Sequence, residues 1–100
     1  MNREVIAVNQ DPLGKQGDRV WQQGPVELWA KPLSGGDVAV GLFNRLTWNT
    51  PIRFNLTDLG WTGPAKARNL WSHKDIGTIR ESHSAWVPPW GVVLLRLSKA

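Results

Sequence analysis

The 100-residue sequence predicts an all-β protein, an antiparallel β-sandwich. Apolar and polar residues alternate over short stretches, and glycine and proline interrupt these stretches at regular intervals. Cysteine is absent, so no disulfide framework or thiolate metal site can replace a packed core. A chain of this length forms a single domain with a core of modest size.

The start of the chain has a different pattern, which predicts a short helix. Val5, Ile6 and Val8 crowd one side of it, an asparagine can cap it, and a proline ends it. A sandwich fills its interior with its own two sheets and has no use for these side chains. We therefore expect residues 1–17 to be the remnant of the last helix of a preceding α/β domain with its linker. Residues 18–100 are then the sandwich.

The strands are predicted in order along the rest of the chain. The first two form a hairpin around the turn Ser34 to Asp37. Pro51 begins the third strand, where a missing N–H donor is tolerated. Val92 to Leu95 is apolar on both faces, as expected of a central strand. The segment 72–77 is predicted to be a polar connection. The predicted strands lie within 24–33, 38–44, 51–56, 65–71, 84–87 and 92–98.

The formal charge of +4 comes from scattered Lys and Arg side chains. A nucleic-acid-binding surface would cluster them into a stripe, so this class of partner is not predicted. No stretch approaches the ~18 apolar residues of a membrane span, and no signal peptide is recognisable. The compartment therefore stays open, and an extracellular or secreted parent protein is compatible with the sequence.

Four stretches of the sequence carry a resemblance to a known family. They are "NREVIAVNQDPLGKQG", "WAKPLSGGDVAVGLFNR", "NLWSHKDIG" and "VPPWGVVLLRL". Together they resemble the C-terminal portion of the α-galactosidases of glycoside hydrolase family 27 (melibiases), in the family's order. The resemblance implies a β-sandwich with Greek-key connections that follows a catalytic (β/α)8 barrel. The barrel is then the implied partner, and hydrolysis of terminal α-linked galactose with retention is the implied activity of the parent enzyme.

Two departures from the family bear on function. The barrel strands, which carry the two catalytic Asp residues in that family, are not in this sequence. Trp90 stands where several relatives have His. We therefore expect no catalytic residue and no cofactor in this chain, and a structural, stabilising role in the parent enzyme. The isolated chain is predicted to be inactive.

The polar candidates for catalysis or metal binding have simpler interpretations. The five Asp residues lie in turns and loops, where carboxylates bond backbone N–H groups. His73 and His83 lack the third ligand and the spacing of a zinc site, so no metal is predicted.

The seven Trp side chains are the strongest candidates for binding. Trp29 points away from the predicted core and Trp61 lies in a turn, so both are candidates for stacking on a sugar. The competing interpretation places the Trp residues in the core or at the barrel interface, together with Val5, Ile6 and Val8. Two other functions stay open: a carbohydrate-binding module and an oligomerisation element.

Overall fold

The computed structural model describes Arg3 and residues 17–100. In the part from residue 17 onward, eight antiparallel strands form two sheets, which confirms the predicted antiparallel sandwich. The sequence predicts six of these strands and misses the first and the sixth. The predicted helix with Val5, Ile6 and Val8 lies outside the described residues. The strands are β1 (Asp18–Gln23), β2 (Val26–Pro32), β3 (Val38–Asn44), β4 (Thr50–Asn55), β5 (Ala65–Asn69), β6 (Lys74–Ile79), β7 (Ser82–Val87) and β8 (Val92–Lys99).

The chain crosses repeatedly between the two sheets. The larger sheet has the order β1-β2-β3-β8-β5-β6, and the smaller sheet pairs β4 with β7. After β6 and β7, strand β8 returns to lie beside β5, which is the arrangement of a Greek key folded across a sandwich. Strand β8 is thus central, as its two apolar faces predict.

The core lies between the two sheets. Alternate residues of β2, β3, β4 and β8 point inward, so the buried set follows the period-two pattern of the sequence. Phe54 and Ile52 on β4 meet the inner face of the larger sheet, and both are buried. The large sheet contributes Leu28, Val40, Leu42, Ala65, Ala67, Ile79, Val93, Leu95 and Leu97.

The prediction of a polar connection over 72–77 is wrong from Lys74 onward, since β6 begins there. Every residue of β6 except Ile79 is exposed, so this strand has no alternation of apolar residues to reveal it. It lies at an edge of the sheet, where charged and polar side chains are favoured. The pairings at both edges also contain a register shift, between Arg19 and Trp21 and between Ala67 and Arg68.

A buried amide joins the two sheets at one end of the sandwich. The Asn44 side chain at the end of β3 donates to the carbonyl oxygens of Trp48 (2.9 Å), Val87 (3.0 Å) and Pro88 (3.3 Å). Its Oδ1 accepts the N–H of Leu46 at 2.9 Å. This one side chain, 1% exposed, therefore fixes the loop before β4 and the end of β7 against the larger sheet.

Candidate functional site

Three aspartates among the described residues make structural contacts. Asp37 Oδ2 accepts from Arg96 at 2.9 Å, and Asp75 Oδ1 accepts from Arg68 at 3.1 Å. Asp58 Oδ2 accepts the backbone N–H of Asn55 at 3.1 Å, which closes a capping box. Asp58 shows the predicted bond to a backbone N–H, whereas Asp37 and Asp75 form ion pairs that are not predicted from the sequence. None of these three contacts is the facing pair of carboxylates that a retaining glycosidase needs.

Glu27 is the buried carboxylate of the described chain, at 2% exposure. Arg45 Nε donates to its Oε2 at 2.6 Å, and Trp29 Nε1 donates to its Oε1 at 3.3 Å. Arg19 lies 3.6 Å from the same carboxylate. The hydrogen bond from Arg45 lowers the pKa of Glu27, against the opposing effect of burial. A general acid needs a raised pKa, so Glu27 is a structural anion that positions Trp29.

The outer face of the larger sheet, turned away from β4 and β7, carries an apolar patch. Trp29 and Phe43 meet edge to face, with ring centroids 6.2 Å apart. Gly41 is paired with Trp29 across the two strands, and a Cβ there would lie 3.0 Å from the Phe43 ring, so a larger residue would require that ring to shift. Leu94 on β8 packs against the buried Leu33, Ala39 and Leu70. We call Trp29, Phe43 and Leu94 with these three residues the outer patch.

A shallow groove of about 230 Å³ runs over the outer patch. Gly17, where the continuously described chain begins, lines this groove together with Trp29, Phe43 and Leu94. The chain therefore enters the sandwich at its outer apolar face. Apolar surface of this kind on one face of a domain is typical of an interface.

The two predicted sugar-stacking residues are both partly buried. Trp29 shows part of its ring in the groove, while its N–H is bonded to Glu27. Trp61 packs against the core between the sheets, and its Nε1 is buried with no hydrogen-bond partner. The structure does not bring these two residues together: one lies on the outer face and the other packs against the inner core.

The tryptophans that are most exposed are others. Trp48, Trp86 and Trp90 are 60%, 65% and 69% exposed, and Trp71 is 49% exposed. The first three lie at the end of the β4–β7 sheet that Asn44 fixes, and we call them the tryptophan corner. Sequence reasoning missed them as a group. The strand period contained the signal for Trp86, because its neighbours Ala85 and Val87 face the core.

A second groove, of about 380 Å³, follows the outer face toward β6. Arg68 and Arg96 stand opposite each other across β5 and β8, and each is paired with an aspartate at its side. Lys66 also lines the groove. The two arginines in the middle are thus flanked by an aspartate on each side, and such a row of paired charges is typical of a solvated sheet surface.

His83 and His73 do not form a metal site among the residues that the structure describes. His83 contacts Phe54 edge to face at 6.1 Å, and its partial burial lowers its pKa. It is a core-lining histidine. Over the same part of the chain, no helix has the length and apolar character needed to cross a bilayer.

Comparison with known sequences gives one family match. Residues 23–97 match the model of the alpha galactosidase C-terminal beta sandwich domain. A probable alpha-galactosidase of Dictyostelium discoideum is 42% identical over 102 residues, which is 95% of this chain and 26% of that protein. The alpha-galactosidase of Coffea arabica is 46% identical over 88 residues, covering 86% of this chain and 23% of the relative. The chain thus spans about a quarter of the length of these relatives.

Solved structures agree with the fold. Alpha-galactosidase I from Mortierella vinacea superposes with a TM-score of 0.95 at 28% identity, over 100% of this chain and 27% of that structure. A GH27 β-L-arabinopyranosidase from Geobacillus stearothermophilus gives a TM-score of 0.91 at 28% identity, over 100% of this chain and 22% of that structure. In both cases the matching part is a minor portion of a longer protein.

Proposed function

The chain belongs to the family of alpha-galactosidase C-terminal beta sandwich domains, and from this premise we propose that it is the non-catalytic companion of a glycoside hydrolase barrel. Its role is to pack against the catalytic domain and stabilise it. The parent enzyme then hydrolyses terminal α-linked galactose with retention. The relatives from Dictyostelium discoideum and Coffea arabica are named as alpha-galactosidases, and the chain corresponds to about a quarter of their length.

The outer patch is the observation that supports this role. A sandwich that served only itself would bury its large apolar residues between its sheets. Here Trp29, Phe43 and Leu94 form a half-buried apolar surface on the opposite side. Arg19 and Arg45, paired with Glu27, border it with charge, and an apolar centre with a polar rim is the common anatomy of a protein interface.

The connection to the rest of the chain supports the same surface. Gly17 lines the groove on the outer patch, so a domain that precedes it in sequence is attached beside this face. We propose that Val5, Ile6 and Val8 belong to the same interface, on the side of the preceding domain. Sugar stacking by Trp29 and Trp61 stays an alternative proposal. In that case Trp29 would act through its ring face in the groove.

A chimera tests the companion role. The matching segment of the Coffea arabica enzyme is replaced by this chain, and Leu94→Ser is introduced both in the chimera and in the isolated chain. We expect a larger fall in melting temperature in the chimera, because Leu94 there loses contacts with two domains. Loss of a half-buried leucine at such an interface costs about 1–2 kcal/mol beyond its effect on the sandwich itself.

The control for this experiment is Trp86→Ser, which changes an exposed residue on the opposite side of the sandwich. It should lower the melting temperature only slightly, and by the same amount in the chimera and in the isolated chain. If Leu94→Ser has the same effect in the chimera as in the isolated chain, the outer patch does not contact the catalytic domain and the proposal is wrong.

A further inference from the structure

We propose that the tryptophan corner is a binding site for a neutral polysaccharide, separate from the outer patch. Trp48, Trp86 and Trp90 are each at least 60% exposed. Among the described residues, none of their indole N–H groups has a hydrogen-bond partner. A sugar ring offers both an apolar C–H face, which stacks on an indole, and hydroxyl groups, which accept from its N–H.

The backbone segments that carry these three tryptophans are tied to one another before any ligand binds. The carbonyl groups of Trp48, Val87 and Pro88 all accept from the one buried amide of Asn44. The N–H of Trp90 donates to Leu46 O at 3.1 Å, which ties the two loops of the corner together. A site whose loops are already ordered loses less entropy on binding.

Trp90 adds a second observation, because its backbone is strained. Its φ of +52° lies in the left-handed region, which bulky residues rarely adopt. Such a conformation has a cost and persists where the surrounding structure imposes it, commonly at binding sites. Here the most exposed large hydrophobic residue of the described part of the chain is presented to solvent instead of being buried.

The surroundings of the corner favour an uncharged, hydroxyl-rich ligand. The outer face of the small sheet places Trp86 opposite Pro51, and Ser84 opposite Arg53. Asn55 and Ser82 form the next pair along the same two strands. These pairs contain no carboxylate and a single cation, so the surface offers hydrogen bonds but little net charge. An acidic polymer would have only Arg53 among these pairs to bind its negative charges.

The area of the corner argues against a protein as its occupant. With about 250 Å² for a whole Trp side chain, the three exposed fractions leave roughly 480 Å² accessible. A stable protein interface needs about 800 Å² on each partner. The corner is therefore small for a second copy of this chain, and its size suits a few sugar rings.

Affinity electrophoresis of the 100-residue chain tests the site, in native gels run toward the cathode with and without galactomannan. We expect galactomannan to retard the wild-type chain. Trp86→Ala should weaken binding about tenfold, the effect expected for loss of one stacking ring. Trp71→Ala is the matched control, since it removes an exposed indole that lies at the β5–β6 turn, and it should leave the retardation unchanged.

Trp90→Gly guards against a folding artefact. Glycine adopts a positive φ without strain, so this variant loses the indole while its melting temperature is kept or raised. We expect it to lose binding as Trp86→Ala does. The proposal is overturned if galactomannan does not retard the wild-type chain, or if Trp71→Ala weakens binding as much as Trp86→Ala. The proposal is also overturned if the acidic polysaccharide alginate retards the chain and galactomannan does not. Sedimentation that shows the tryptophan corner joining two copies of the chain would overturn it as well.

Discussion

Replacement of Asn44 by alanine should destabilise the sandwich more than any other single polar substitution in its loops. The side chain is 1% exposed and makes four hydrogen bonds, three as donor and one as acceptor. The carbonyl of Trp48 keeps a partner in the variant, because the Thr50 hydroxyl also donates to it at 3.0 Å. The carbonyl of Val87 loses its bond from Asn44 in a buried position.

The magnitude follows from these partners. Each net hydrogen bond contributes about 1 kcal/mol, and a buried carbonyl left without a partner costs about 1–3 kcal/mol. The Trp48 and Pro88 carbonyls each keep another donor. The net loss is therefore the bonds to Val87 O and Leu46 N. At about 1 kcal/mol for each bond, and up to about 3 kcal/mol where a buried group is left without a partner, the loss is about 2–4 kcal/mol. In a domain of this size, 3 kcal/mol corresponds to a fall in melting temperature of about 12–24 °C.

Urea unfolding followed by Trp fluorescence measures this loss. The midpoint should fall while the slope with denaturant stays unchanged, because the surface exposed on unfolding is the same. Asn49→Ala is the matched control: it removes an exposed amide from the same loop and should cost less than about 0.5 kcal/mol. A loss below about 1 kcal/mol for Asn44→Ala, or one equal to that of Asn49→Ala, would refute the reasoning.

Three further outcomes are expected. Glu27→Gln should lower the free energy of unfolding most at pH 7 and progressively less toward pH 3. The Arg45 bond holds the Glu27 pKa below 4.5 in the folded protein, so the stabilisation by this carboxylate is lost as the pH falls from 4.5 through the folded-state pKa. Unfolding curves of both proteins at several pH values check this. Burial lowers the His83 pKa below 6.5, so the neutral imidazole should contribute its full stabilisation above pH 6.5, and this contribution should fall as the pH decreases through the folded-state pKa. His83→Gln should remove that decline in stability, whereas the control His73→Gln should leave it unchanged. The isolated chain should not hydrolyse a chromogenic α-galactoside; turnover that persists after repeated purification would contradict the non-catalytic role.

The sequence predicts the strands that line the core well and the edge strands of the larger sheet poorly. Strands β2, β3, β4 and β8 each have one face in the core, so their apolar residues recur with period two and can be recognised without coordinates. Strand β6 has no such face. Only its backbone pairing with β5 makes it a strand, and that pairing depends on tertiary context.

The candidate surfaces were predictable only in part. The period of β2 correctly places Trp29 on the face opposite Val26, but it does not reveal that Phe43 and Glu27 cover much of the ring. Trp48 and Trp90 lie in proline-flanked loops, where no periodicity indicates direction. Their grouping depends on the Asn44 amide, whose partners Trp48 and Val87 are 4 and 43 residues away in sequence.

The register shifts in the two outermost strand pairs of the larger sheet have a consequence for how such a domain can be joined to other domains. An extra residue in an edge strand twists the margin of the sheet and interrupts the row of free backbone groups that a foreign strand would need. Lateral growth of the larger sheet into fibres is therefore discouraged on both flanks. A domain whose main sheet is protected in this way can be joined to new neighbours by gene fusion with little tendency to seed polymers.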